Sequence, residues 1–216
     1  MCQGTRPRDI WKEKHMAKTA VIYIHGKGGN AGEAEHYKKF FAECEVLGFD
    51  YKSQTPWEAK NEFAEYFYDI SRRYKSVVLI ANSIGAYFAM NANPIAQIEK
   101  AYFISPIVNM ENLITNMMQW AGVTEADLER QGLIETSFGE VLSWEYLQWV
   151  RNHPIQWNVP TSILYGGADN MQSMETIKTF ADSIGAELTV MDNGEHWFHT
   201  DEQMKFLDQW IVYLGQ

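Results

Sequence analysis

The sequence predicts an α/β protein: a mostly parallel, doubly wound sheet of roughly six strands, with a helical insertion late in the chain. Three observations predict it. Short β-rich runs alternate with amphipathic helical patterns from residue 20 onward, and such alternation builds a parallel sheet covered on both faces. Four of the runs are nearly continuous in apolar residues, as strands buried on both sides are. One connection is far longer than a crossover between parallel strands requires.

The strands are expected at Ala20–Ile24, Phe49–Lys52, Val77–Ala81, Ala101–Ile104, Thr161–Tyr165 and Glu187–Met191. Between the first two, Tyr37, Phe40, Phe41, Cys44 and Leu47 follow the three-and-four spacing of a helix face. Phe63, Tyr66, Phe67, Ile70 and Tyr74 do the same before the third. The last helix repeats the pattern with Leu207, Trp210, Ile211 and Leu214. It opens on Thr200, three residues before Gln203, the spacing of a capping box. The long connection, from Ile107 to about Trp157, is expected to be a helical cap with stretches at Met110–Ala121, Glu125–Glu129 and Trp144–Val150. It holds Trp120, Trp144, Trp149 and Trp157, half of the eight tryptophans. Insertions at this edge of a parallel sheet usually cover a site. Residues 1–15 lack a periodic apolar face and carry a charge of +2, against −12 for residues 16–216. They are expected to be a leader, disordered or foreign to the native protein, with Met16 as the biological start and one domain over 16–216.

Composition narrows the function classes. The 216 residues are 46% hydrophobic, 14% aromatic and 21% charged, the profile of a folded globule. A chain of this size buries roughly 70% of the surface its unfolded form exposes, so its core needs no staples. Two cysteines, Cys2 and Cys44, give no disulfide framework and point to a reducing, cytoplasmic setting. A net charge of −10 would repel nucleic acid and anionic membranes over most of the surface. No apolar run approaches the roughly 18 residues of a membrane span, and no apolar h-region follows the early arginines. His36, His153 and His199 have no ligand spacing with one another, so no metal site is expected.

Chemistry gathers at the strand ends. Ser83 follows the buried run Val77–Ala81 and precedes a helix of small and apolar residues, in the string Ala81-Asn82-Ser83-Ile84-Gly85. A serine on so tight a strand-to-helix turn has a strained backbone and a hydroxyl lifted clear of the sheet. The helix's first N–H groups then point at whatever lies above. A serine at a helix start is, on its own, more often an N-cap. His25-Gly26-Lys27-Gly28-Gly29 follows the first strand, where glycines let the backbone approach a ligand. The string Gly26-x-Gly28-x-x-Ala31 also fits a loose dinucleotide fingerprint. That reading needs an acid at the end of the second strand, which reads Lys52-Ser53-Gln54, with Asp50 near its start. Gly166-Gly167-Ala168-Asp169 and Gly194-Glu195-His196-Trp197 follow the last two strands. In a parallel sheet all these ends share one edge, so Ser83, Asp169 and His196 converge there. A serine hydroxyl becomes a competent nucleophile when an imidazole takes its proton and a buried carboxylate orients the imidazole. Asp192 and Glu195 compete with Asp169 as that partner.

The order Ser…Asp…His, with a His-Gly loop after an early strand, resembles the α/β-hydrolase superfamily over nearly all of residues 16–216. Two departures stand out: Ala81 replaces the first glycine of the serine motif, and the chain is expected to begin at the family's third strand. The resemblance implies Ser83 as nucleophile, His196 as general base then acid, and Asp169 as its orienting partner. It implies an oxyanion hole from the backbone N–H groups of Ile84 and Lys27, or Gly28 in place of Lys27. His25 would brace that loop, and the Lys27 side chain would be solvated.

Serine at position 83 directs the expectation to acyl transfer to water, with no cofactor and a small-molecule ester as partner. The cap's tryptophans and methionines suggest a small apolar acyl or aryl group, with Trp120, Trp144, Met117 and Trp197 lining the pocket. A catalytically silent ligand-binding protein on the same fold is the alternative. A Rossmann-type NAD(P) oxidoreductase is the third reading.

Overall fold

The computed structural model describes residues 19–92 and 98–214; the leader, Met16 and Cys2 lie outside them. Six strands form one wholly parallel sheet: β1 (Thr19–Ile24), β2 (Glu45–Phe49), β3 (Ser76–Asn82), β4 (Ile98–Ile104), β7 (Thr161–Gly166) and β8 (Glu187–Met191). Their spatial order is β2-β1-β3-β4-β7-β8. Two further strands, β5 (Leu133–Glu135) and β6 (Val141–Ser143), pair antiparallel as a separate hairpin.

A core lies on each face of the sheet. One holds Val21, Tyr23 and Ile80 against a 3₁₀ helix (Ala31–Phe40) and the terminal helix α7 (Asp201–Leu214). The other holds Ile22, Ile24 and Leu79 against α1 (Pro56–Arg73), α2 (Ile84–Ala92) and α6 (Met174–Ile184). The helices start where their sequences set them. Thr55 caps α1, Pro56 occupies its first turn, and Glu58 reaches back to the Thr55 N–H at 3.1 Å. Phe63, Phe67 and Ile70 then bury one stripe of α1, with Phe63 meeting Phe49 at 4.8 Å and Tyr51 at 5.3 Å between ring centroids. Thr200 accepts from the Gln203 N–H at 3.2 Å, while Gln203 Oε1 takes the His199 N–H, one residue earlier than a strict capping box.

The second strand differs from its expected place. It runs over Glu45–Phe49, and the preceding helix ends at Phe40. Cys44 and Leu47 continue a helix face in sequence, yet the neighbours Val46 and Leu47 enter opposite cores, as successive residues of a strand do. Gly48 lies so close to the 3₁₀ helix that a Cβ there would stand 1.9 Å from the Ala31 carbonyl oxygen.

The connection between β4 and β7 carries α3 (Met110–Ala121), α4 (Glu125–Gln131), the β5–β6 hairpin and α5 (Trp144–Asn152). The hairpin has no counterpart in the sequence reading, because three-residue strands with Leu133 and Val141 exposed leave no alternation to detect. Arg151 of α5 pairs with Glu111 of α3 and Glu125 of α4, at 2.7 and 2.6 Å, tying the three helices together. Among the described residues no helix is long and apolar enough to cross a membrane.

The chain leaves β1 toward one face, into the 3₁₀ helix, and leaves β3 toward the other, into α2. The two loops therefore part at the carboxyl edge between β1 and β3, where open α/β sheets form a crevice. Phe63 is fully buried behind this point. Phe63→Ala is expected to cost about 3–5 kcal/mol, read as a lowered urea midpoint with an unchanged slope.

Candidate active site

Ser83 sits where β3 turns into α2 with φ of 51°, in the left-handed region that a side chain rarely adopts. Neighbours hold that geometry. The Ser83 N–H donates to the Ile104 carbonyl at 3.0 Å, and the Ser83 carbonyl accepts from the Ile107 N–H at 3.2 Å. Both partners belong to the strand end and loop beside it. The turn also needs room below. A Cβ on Gly85 would stand 2.3 Å from the His25 carbonyl oxygen, so α2 starts in backbone contact with the end of β1. Ala81 raises no such conflict. It lies fully buried in ordinary strand pairing between Ile24 and Phe103, and Ser83 keeps its turn with alanine at that position.

The Ser83 hydroxyl lies 2.8 Å from His196 Nε2, and His196 Nδ1 lies 2.7 Å from Asp169 Oδ2. The Asp169 side chain is wholly buried, and its other oxygen accepts from the Met171 and Gln172 N–H groups at 2.7 and 3.3 Å. An ionised carboxylate only accepts, so Nδ1 carries the hydrogen and Nε2 turns its lone pair to the serine. Gly166 and Gly167 set the approach of the two loops. A Cβ on Gly166 would stand 2.4 Å from the Gly194 carbonyl oxygen, and one on Gly167 would stand 2.4 Å from that of Asp192. The Ala168 N–H donates to Gly194 and the Gly167 N–H to Met191, each at 2.8 Å. The competing acids point elsewhere: Glu195 accepts from Gln203 and approaches His199 at 3.6 Å, and Asp192 is exposed.

The His25–Gly29 loop forms the opposite wall. A Cβ on Gly26 would meet Ser83 Cβ at 3.1 Å, which places the loop against the serine. His25 stacks on Tyr51 at 4.3 Å between ring centroids, its carbonyl accepts from the Tyr51 hydroxyl at 2.9 Å, and its Nδ1 lies 2.8 Å from the Gly26 carbonyl. Glu33 braces the far end, accepting from the Asn30 N–H at 3.0 Å and the Tyr23 hydroxyl at 2.5 Å. The Ile84 N–H opens α2, a position where no preceding turn supplies an acceptor. The Lys27 side chain is exposed but not simply solvated, because it pairs with Glu140 in the β5–β6 turn.

The four expected pocket residues are not placed alike. Met117 and Trp144 pack half-buried against the core. Trp120 is 55% exposed and meets Phe138 edge-on, and Trp197 is 67% exposed and stacks on His199. The sequence reading passed over Gln172. Its buried side chain accepts from the Val108 and Asn109 N–H groups at 3.1 and 2.9 Å, joining the Asp169 loop to the start of the insertion. Nothing in the string Asp169-Asn170-Met171-Gln172 announces that role. A shallow cleft of about 260 Å³, lined by Lys60, Asn91 and Trp149 among others, lies at the other end of α2 from Ser83.

The dinucleotide reading fails on topology. Asp50 does follow the end of β2, where an acid was required, but it is exposed and paired with Lys52, whose hydrogen bond and charge lower its pKa. What decides is that β3 pairs directly with β1, whereas the dinucleotide order places the third strand outside the second. The fold superposes on solved hydrolases and esterases. The chain has the α/β-hydrolase fold. A candidate hydrolase from Agrobacterium vitis S4 superposes with a TM-score of 0.73 at 14% identity, covering 92% of this chain and 88% of that one. Mouse α/β-hydrolase domain-containing protein 10 gives 0.72 at 16%, covering 90% and 88%. Est1E from Butyrivibrio proteoclasticus gives 0.68 at 13%, covering 93% and 87%. At these identities the likeness is one of fold. No protein-family model matches the sequence, and no curated protein matches it in sequence.

Gly166→Ala should force the Asp169 and His196 loops apart. A loss of about 1–3 kcal/mol is expected in urea unfolding, with the Asp169–His196 hydrogen bond broken in a crystal structure of the variant.

Proposed function

We propose that this chain is a serine hydrolase that cleaves a carboxylic ester of a small acyl or aryl group through an acyl-enzyme. The observation that carries the reading is the hydrogen-bonded series Asp169–His196–Ser83, ending on a serine held at a left-handed turn. Structures of this constellation recur on unrelated folds because the chemistry demands the geometry. The esterase neighbours agree with it, and Est1E has also been solved with ferulic acid, an aryl acid, bound.

The steps follow from the residues. Ser83 Oγ attacks the ester carbonyl carbon while its proton passes to His196 Nε2. The carbonyl oxygen becomes an oxyanion facing the N–H groups of Ile84 and Lys27. Asp169, accepting from Nδ1, stabilises the imidazolium that results. As the tetrahedral intermediate collapses, the C–O bond to the alcohol breaks and His196 returns its proton to the leaving oxygen. Water then attacks the acyl-enzyme, again with His196 taking the proton; the C–O bond to Ser83 breaks, His196 returns the proton to Ser83 Oγ, and the acid is released. The segment from about 107 to 157 acts as a cap on this site. Met117 and Trp144 would face the substrate from its interior, and Trp120 and Trp197 from its exposed rim.

A fluorophosphonate probe is expected to label the wild type at Ser83 and to leave Ser83→Ala unlabelled, as read by intact mass. Labelling of neither would return the reading to a ligand-binding protein. His196→Ala should lower kcat on nitrophenyl esters by several orders of magnitude with the thermal melt unchanged. Near wild-type turnover in that variant would overturn the assignment.

A further inference from the structure

Among the described residues, two other than glycine have a positive φ: Ser83 at 51° and Ser105 at 42°. They stand opposite each other. The β3–β4 register ends on Asn82 against Ile104, and one step further sets Ser83 against Ser105. Ser105 is wholly buried, and its hydroxyl has no hydrogen-bond partner. It also precedes Pro106, and the residue before a proline is normally pushed to extended backbone. Its conformation is therefore costly, and its side chain makes no hydrogen bond in return. What Ser105 contributes is the path of its backbone.

The ladder shows what that path achieves. In a parallel pair, a residue bonds to the two residues that flank its partner. The Ser83 N–H does so, donating to the Ile104 carbonyl at 3.0 Å. The Ser83 carbonyl would next accept from residue 106, but proline has no N–H. The Ile107 N–H takes that place at 3.2 Å, one residue late. The extra residue is a bulge, and the left-handed turn at Ser105 accommodates it.

The same segment is tied to the acid's side of the site. One rigid peptide unit joins Ile104 to Ser105. Its carbonyl accepts from Ser83, and its N–H donates to Leu164 of β7 at 2.8 Å. The Val108 and Asn109 N–H groups then donate to the side chain of Gln172, whose own N–H bonds Asp169. Residues 104–109 thus bond alternately to the turn of the nucleophile and to the strand and loop of the acid. Their shape sets how far Ser83 stands from the imidazole that Asp169 orients.

We propose that Ser105, held left-handed ahead of Pro106, is a positioning residue that keeps Ser83 within reach of His196. This rests on the serine-hydrolase reading and deepens it, naming what fixes the nucleophile against its base.

Nitrophenyl-ester kinetics on three variants test it, with kcat expressed per site titrated by a fluorophosphonate. Ser105→Gly drops the hydroxyl but takes a positive φ freely, and is expected to hold kcat within about threefold. Ser105→Val resists the left-handed region and should lower kcat at least about tenfold, with KM within about twofold. Pro106→Ala restores an N–H at position 106, lets the ladder continue without the bulge, and should lower kcat in the same way. A merely structural role would lower Tm and the yield of titratable sites while leaving kcat per site unchanged. Wild-type kcat in both Ser105→Val and Pro106→Ala, or a loss in Ser105→Gly as large as in Ser105→Val, would overturn the proposal. A crystal structure of Pro106→Ala decides the matter even where Ser105→Val does not fold. The amide at 106 is expected on the Ser83 carbonyl, with Ser83 Oγ out of hydrogen-bond reach of His196 Nε2. An unmoved Ser83 overturns the positioning role whatever the wild type hydrolyses, whereas a wild type inert to esters and probe ends the hydrolase reading alone.

Discussion

The left-handed turn at Ser83 is the constraint on which the rest of the edge depends. A side chain at φ of 51° costs about 1–3 kcal/mol and persists only where the surroundings over-determine it. Here they do so from three directions. The end of β4 and its following loop hold the serine's amide and carbonyl, Gly85 lets α2 rest on the β1 carbonyl, and Gly26 presses on the serine side chain from the other wall. The strain directs the hydroxyl away from its own helix and into reach of His196. The fold's free energy thus sustains a local conformation that no isolated strand–helix segment would hold.

The same economy of contact governs the partner groups. Asp169 and His196 come from loops stapled backbone to backbone through Gly166, Gly167 and Gly194, so their separation is set by main-chain atoms rather than by flexible side chains. The carboxylate spends three accepted hydrogen bonds, two on its own loop and one on the imidazole. Gln172 then carries the position of that loop onward to the base of the insertion.

Much of this was legible in the sequence, and the limits are physical. Ser83, Asp169 and His196 could be brought together without coordinates, because parallel strands send all their carboxyl ends to one edge. The bounds of β8 and α3 followed from unbroken patterns. β2 did not, because Cys44 and Leu47 keep the helical spacing, and only the two cores show Val46 and Leu47 alternating. The β5–β6 hairpin is too short to show alternation, and its turn relies on Gly139 at a positive φ. Gln172 carries no motif. Its importance lies in which atoms gain a neighbour, and a sequence does not display that.

The pairing of β4 with β7 has a consequence for how freely the insertion can vary. Ala101 and Thr161 are register partners in a parallel pair, so the sheet itself fixes both ends of the inserted segment, one at its carboxyl edge and one at its amino edge. Loop-closure entropy grows only logarithmically, and doubling such a segment costs roughly 0.6 kcal/mol. Length there is thermodynamically cheap, while a single methyl group at Gly85 or Gly166 is not. Change in this chain is therefore tolerated in the inserted segment and resisted in the turns that hold Ser83, Asp169 and His196 together.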